Sequence, residues 1–275
     1  MNTTLEFKTL STQKYLLKIT SKMNLGGFSS DNEVEIRWML TLKDISHQSY
    51  TFELITLDHV MIKADNSGYL EVHKLVSQMQ KALNEIVFTI DKQGELLYVN
   101  NLEQIKERWQ KVKSEIIEYN RSNTSLEDLF KIQDEIFEKK GGVETMVKSM
   151  EFFDVFLNNI YGRDYFQRVK KNIPNLFRSG EIPFALKYDQ DKIENNLQKI
   201  NIEGYPNILS ETHVKDLYGG FPFVNSDTVK PLYAYNAHYQ INEKTGFIEE
   251  GEKHFIEYVN DKLGGEVHYK LQRYE

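Results

Sequence analysis

The sequence of 275 residues contains no cysteine. This absence excludes disulfide bonds, thiolate ligands for zinc and a cysteine nucleophile. No apolar run approaches the roughly 18 residues that a membrane-spanning helix needs, and residues 1–8 lack the basic and apolar regions of a secretory signal. We therefore expect no membrane span and a cytoplasmic location, with export by a signal-less route as the alternative.

Catalytic and phosphate-binding motifs are also absent. The sequence has no H-E-x-x-H, no G-x-S-x-G, and neither G-x-x-x-x-G-K nor G-x-G-x-x-G. The 34 basic residues are outnumbered by 41 acidic ones, and the net charge of −7 argues against general nucleic-acid binding, which needs a basic face. No catalytic residue, cofactor or metal site is predicted, and an enzyme is not the expected class.

Periodic apolar residues divide the chain into three regions. Alternation predicts strands over 13–99, with one short helix among them, and again over 182–273. Three- and four-residue steps predict helices over 101–172, and the helix predicted over 143–160 has an apolar face wide enough to be largely buried. The segment 204–231 carries three of the five prolines and is predicted to be a long irregular connection.

These regions predict an α+β fold. A mainly antiparallel, curved β-sheet formed by N- and C-terminal strands would pack on the central helical segment. Residues 1–275 would then form a single domain, with a division near residue 180 as the alternative.

The C-terminal strands allow a register to be predicted. Turns near 244–245 and within 260–265 pair Ile241 with Ile248 and Val259 with Glu266. In this register one face collects mainly apolar and tyrosine side chains. His254 falls on that apolar face, where a structural histidine with a hydrogen-bond partner is favoured over a functional one.

The chain contains seven histidines, and histidine is the first residue type to consider for catalysis or metal binding. In the predicted register His238 and His268 lie on the other face, opposite Gly251 and Glu257. At about 3.3 Å per residue, this places them roughly 20 Å apart, too far to share a metal ion.

Two charged clusters are interpreted as solvated surfaces. The acidic run of Glu249, Glu250 and Glu252 fits an exposed hairpin better than the paired carboxylates of a glycosidase. A second cluster combines basic residues with nearby aromatic ones, a mixture that can bind single-stranded nucleic acid. Its position after an apolar helix favours a solvated helix end instead. Its members are Arg168, Lys170, Lys171 and Arg178, near Tyr165 and Phe166.

Aromatic residues are the most informative feature. Sixteen Tyr, sixteen Phe and two Trp make up 12% of the chain. Sheet propensity and core filling account for most of them, whereas tyrosines at a rim suit contacts with a protein or an amphipathic ligand. The candidate binding residues are Phe152, Phe156, Phe221, Phe223, Tyr233, Tyr235, Tyr239 and His254.

Three segments, which follow one another along the chain, carry a resemblance to known proteins: 15–19 (YLLKI), 94–99 (GELLYV) and 244–248 (KTGFI). In this order the chain resembles bacterial proteins in which a curved antiparallel sheet wraps around helices, as in lipoprotein-carrier-like half-barrels. The resemblance implies that fold and carries over no active residue.

Three functions follow from these observations. The first is a non-enzymatic binding protein that acts through protein contacts, as an adaptor, a chaperone or an immunity-like inhibitor. The alternative is a carrier of a lipid-like or other apolar ligand in a cavity between sheet and helices. A hydrolase centred on His254 comes third. A cavity of several hundred Å³, the usual order of pocket size, favours the carrier, and a filled core with an exposed aromatic patch favours the protein partner.

Overall fold

The computed structural model describes residues 5–65, 67–119, 125–158, 160–163, 165, 168–192 and 196–275. The N-terminal part contains β1 (Thr12–Leu25), β2 (Phe28–Ile45), β3 (Ser49–Lys63), α1 (Ser67–Gln80), β4 (Glu85–Asp91) and β5 (Leu96–Val99). The middle contains α2 (Leu102–Tyr119), α3 (Ser125–Glu138), α4 (Gly142–Lys148) and a π-helical turn (Phe153–Leu157). The C-terminal part contains β6 (Val169–Pro174), β7 (Glu181–Lys192), β8 (Leu197–Pro206), α5 (Glu211–Tyr218), β9 (Leu232–Asn242), β10 (Ile248–Asn260) and β11 (Leu263–Tyr274).

Within the described residues, all strands form one antiparallel sheet of 11 strands, in the order β5-β4-β3-β2-β1-β11-β10-β9-β8-β7-β6. The first and last strands pair at its centre, where Leu17 lies opposite Leu271. The predicted α+β class is confirmed, with a curved sheet built from both ends of the chain. Strands from both sides of residue 180 therefore share this sheet.

The core lies between the inner face of the sheet and the helical segment. Trp38 and Phe88 of the sheet contact Phe152, with ring centroids 5.3 and 6.1 Å apart. Trp109 of α2 stacks on Phe137 of α3 at 5.2 Å. In the described part of the chain, no helix is both long and apolar enough to cross a bilayer.

The helix predicted over 143–160 is broken. Regular helix ends at Lys148, and the chain then continues into the π-helical turn. Phe153, Val155, Phe156 and Leu157 are all buried in that turn, whereas an ordinary amphipathic helix buries one stripe.

Two further predictions along the chain are wrong. Residues of the predicted helical region form strand β6, which lies at the sheet edge and ends at Pro174, where a missing backbone donor is tolerated. The segment 204–231 is not wholly irregular, because it includes the end of β8 and all of α5. Ser210 caps α5 by accepting a hydrogen bond from the backbone N–H of His213, a local signal of a helix start.

The predicted register of β10 holds only at its beginning. Ile241 pairs with Ile248 as expected, but a bulge between Ile248 and Glu250 exchanges the two faces of the strand. Glu266 pairs with Ile256 and not with Val259. The inward-facing residues are consequently Gly251, Lys253, Phe255 and Glu257, all of them buried.

Candidate functional site

Four of the candidate aromatic residues lie inside the core. Phe152, Phe156, Tyr235 and Tyr239 are all buried. The Tyr235 hydroxyl donates to Oδ1 of Asn158 at 2.8 Å, and Nδ2 of the same amide donates to the Tyr239 hydroxyl at 2.8 Å. These side chains therefore hold the π-helical turn against β9 and do not form an outer surface.

The other aromatic candidates lie nearer the surface. Phe221, Phe223 and Tyr233 are partly buried and pack against the core. Phe221 contacts Phe177 with ring centroids 5.7 Å apart, and the Tyr233 hydroxyl lies 2.7 Å from that of Tyr218. The apolar side chains of the segment after α5 thus pack against the core while remaining partly exposed.

The prediction for His254 is wrong in its face, because the bulge in β10 turns this residue outward. His254 is partly exposed, its Nε2 lies 3.3 Å from Glu266 Oε2, and its ring centroid is 5.2 Å from that of His268. The predicted separation of His238 and His268 is also wrong: His238 Nε2 lies 3.1 Å from Glu252 Oε2, and His268 bonds the other oxygen of that carboxylate. Within the described residues no group of three or more such side chains could hold a metal ion.

A cavity of about 450 Å³ lies between the inner face of β2 and β3 and the helices α1, α3 and α4. We call it the apolar cavity, and its main apolar lining is Ile36, Trp38, Met79, Phe137, Met146 and Met150. Three of the seven methionines of the chain are in this lining. Methionine side chains are flexible and polarisable, so they adapt to ligands of variable shape.

A histidine pair joins α1 to the sheet at the edge of this cavity. Nε2 of His73 in α1 lies 3.4 Å from Nε2 of His59 in β3, and His59 lines the cavity. Burial lowers the pKa of both rings, and for His73 the neighbouring His59 adds to the shift. The neutral forms suit this contact, because one ring nitrogen must accept while the other donates.

A second cavity of about 770 Å³ lies between the π-helical turn, β6 and the inner face of β10 and β11. We call it the basic cavity. Its acidic lining residues are Glu95 and Asp154, and its basic ones are Lys148, Arg163, Lys170, Lys171, Arg178 and Lys253. The described lining thus carries an excess of four positive charges in a chain whose net charge is −7.

An ion pair forms the inner wall of the basic cavity. The buried Lys253 ammonium lies 2.5 Å from Asp154 Oδ2. Burial alone would raise the pKa of Asp154, but Lys253 and Lys171 together hold it below its ordinary value. Burial lowers the pKa of Lys171 to about 8, and its ammonium donates to Oδ1 of Asn158 at 3.4 Å.

The buried carboxylate of Glu257 holds a turn that lines the basic cavity. Glu257 accepts hydrogen bonds from the backbone N–H of Leu176 at 2.6 Å and from Nδ2 of Asn175 at 3.3 Å, both in the turn between β6 and β7. Arg178 in that turn has φ of +56°, a left-handed conformation that is costly for arginine. The strained backbone therefore occurs at a residue whose cationic side chain lines the basic cavity.

The two cavities have one lining residue in common, within one short segment. Ser149 lines both, Met150 and Glu151 line the apolar cavity, and Phe153 and Asp154 line the basic cavity. Burial raises the pKa of Glu151, and Asp154 acts in the same direction. A molecule with an apolar chain and an anionic group could contact both cavities around Ser149.

Part of the basic cavity is visible in the sequence. Lys170, Lys171 and Arg178 belong to the cluster that was interpreted as a solvated helix end, but they lie in strand β6 and the turn after it. Lys148 and Lys253 join them only through tertiary folding, and the inward direction of Lys253 depends on the bulge in β10. The apolar cavity has no sequence signal of its own, because its lining comes from separate elements: β2, β3, α1, α3 and α4.

No protein-family model matches the chain, and no curated protein matches its sequence. Among solved structures, the chain is similar to lipovitellin in a study of lipid–protein interactions, with a TM-score of 0.45 and 9% identity over 98% of this chain. The chain spans 26% of the lipovitellin chain, about a quarter of its length. It is also similar to an inactive mutant of CurJ dehydratase in complex with a compound, with a TM-score of 0.12 and 8% identity over 94% of this chain and 75% of that one. At these TM-scores neither similarity defines the function of this chain.

Proposed function

We propose that the protein is a non-enzymatic carrier that holds the apolar chain of a small molecule in the apolar cavity. The observation that supports this role is the cavity of about 450 Å³ between sheet and helices, which falls within the usual range of ligand pockets, roughly 300–1,000 Å³. Burial of an apolar chain there stabilises the complex by about 25 cal/mol per Å² of apolar surface removed from water.

Helix α1 covers one side of the apolar cavity. Its loose packing suits a carrier, because a carrier must admit and release its ligand. Helix α1 has exposed apolar side chains at Tyr69, Leu70 and Val72, so it is only partly packed on the protein. The His59–His73 contact is a polar link between this helix and the sheet. A helix with so few buried apolar contacts can separate from the sheet at a lower free energy than the core strands.

The protein-contact role predicted from the sequence stays a prediction. Of its eight candidate residues, Phe152, Phe156, Tyr235 and Tyr239 are in the core and are not accessible to a partner in the folded protein. The cavity supports the carrier role more directly, since it offers a defined space with mainly apolar walls.

Filling the apolar cavity tests the carrier role. Gln133 in α3 points into the cavity, where its Nε2 lies 3.1 Å from Sδ of Met146. We expect Gln133→Phe to fill part of the space and weaken binding of decanol by roughly tenfold or more in calorimetric titration. Ile132→Phe is the matched control, because Ile132 is the adjacent residue in α3 and is 57% exposed. The carrier role is wrong if decanol does not bind the wild type, or if Gln133→Phe binds it as the wild type does.

A further inference from the structure

The basic cavity concentrates cations that the protein itself neutralises only in part. The Asp154 carboxylate is bonded to Lys253, while the hydrogen bond of Lys171 goes to the amide oxygen of Asn158. At the mouth, Lys148, Lys170 and Arg178 are exposed. Like charges in a concave site with low-dielectric walls raise the local concentration of anions.

The arrangement also offers several donors of the kind that an oxyanion needs. Lysine and arginine donate short, charge-assisted hydrogen bonds to carboxylate and phosphate oxygens. Here the donors come from different elements around one space of about 770 Å³: Lys171 from β6, Arg178 from the next turn and Lys148 from α4. An anion between them would relieve the repulsion among these cations.

We propose that the basic cavity binds the anionic headgroup, a carboxylate or a phosphate, of the molecule whose chain lies in the apolar cavity. This inference rests on the proposed carrier function and names its ligand class: an amphipathic anion. In this arrangement the headgroup and the chain join near Ser149, the residue that lines both cavities. Asp154 has a positioning role, since it holds Lys253 and orients the inner end of the site.

Three ligands with the same alkyl chain distinguish the contribution of the headgroup to binding from that of the chain. Decanoate, decyl phosphate and decanol are titrated calorimetrically into the wild type at pH 7. We expect both anions to bind about tenfold more tightly than decanol, and Lys171→Gln to remove most of this preference without weakening decanol. Lys244→Gln, an exposed lysine in the turn between β9 and β10, should keep the wild-type preference.

Each failure has its own signature. If no alkyl ligand binds, the carrier function itself is wrong. If decanol binds as tightly as the anions and Lys171→Gln changes nothing, the carrier function stands and the headgroup site is overturned. Inorganic phosphate distinguishes a free anion from a headgroup: binding as tight as that of decyl phosphate would overturn the link between the two cavities.

Discussion

The Lys253 ammonium lies 2.5 Å from Asp154 Oδ2 and joins β10 to the π-helical turn. Rings of Tyr235 and Tyr269 lie on either side of this ammonium, with centroids at 5.5 and 5.4 Å. The lysine side chain is 4% exposed and the aspartate side chain 43% exposed, so the pair separates the core from the basic cavity.

Asp154→Asn should destabilise the fold. The substitution removes the carboxylate partner of a buried ammonium, and we expect a loss on the order of 2–3 kcal/mol in the free energy of unfolding. This is less than the roughly 3–5 kcal/mol for a fully buried pair, because Asp154 is partly exposed. Urea denaturation measures it. Asp189→Asn is the control, since its pair with Lys187 is exposed on both sides and should matter by less than about 1 kcal/mol. Equal effects of the two variants would contradict this account.

Lys171→Met should stabilise the protein at neutral pH while weakening anion binding. The pKa of Lys171 falls from 10.5 to about 8 on folding, so the unfolded chain binds more protons and wild-type stability rises with pH across that interval. We expect a gain of about 1–2 kcal/mol at pH 7 that disappears above pH 10.5. Burial is the main cause of the lowered pKa of Lys171. Lys253 and Arg163 also lower it, whereas Asp154 and Glu95 raise it.

Urea denaturation from pH 7 to 10.5 measures this gain. Lys170→Met, at the exposed neighbouring position of β6, should show no such pH dependence. A constant difference between Lys171→Met and the wild type over this range would contradict a buried amine at position 171.

Arg178 should lower the stability of the fold through its backbone conformation, while its side chain adds a positive charge to the basic cavity. Glycine adopts φ of +56° without the strain that a side chain brings, so Arg178→Gly should be about 1 kcal/mol more stable than Arg178→Ala. Both variants lose the guanidinium and should weaken decanoate binding equally. Thermal unfolding and titration of the two variants provide the test, and equal stabilities would show that the turn is not strained.

Glu257 should give the protein a pH dependence of its own. Burial raises the pKa of Glu257, although hydrogen bonds from Tyr218, Leu176 and Asn175 oppose the shift. The native state therefore binds more protons than the unfolded chain above pH 4.5, and this group lowers stability as pH rises. We expect Glu257→Gln to remove that contribution, whereas Glu250→Gln at an exposed site of the same strand should retain it. Parallel stability curves for Glu257→Gln and the wild type between pH 4.5 and 7 would contradict the assignment.

The sheet was predictable because alternation is a local signal. The strands around Trp38 and Tyr15, and the pairing of Ile241 with Ile248, follow directly from it. The direction of Lys253 and Glu257 was not predictable, because one inserted residue at a bulge reverses a whole strand. The predicted helix over 143–160 failed for a related reason: its apolar residues are buried all round, which periodicity alone does not distinguish from a wide helical face.

The candidate site was likewise predictable from the sequence only in part. Lys170, Lys171 and Arg178 are close in sequence, so their clustering was visible, but their position in a strand and a turn was not. Met79, Met146 and Met150 come together only when α1, α4 and the segment after α4 fold around one cavity. No local pattern encodes such a cavity.

The most direct test of the carrier role is a titration of the protein, labelled with carbon-13 in its methionine methyl groups, with decanoate. NMR resonances are assigned by single Met→Leu substitutions. The account predicts that the Met79, Met146 and Met150 signals shift together and saturate, while Met39 and Met61, which lie outside the cavity lining, do not move. Saturable decanoate binding that leaves those three signals in place, or that shifts Met39 and Met61 instead, would contradict it.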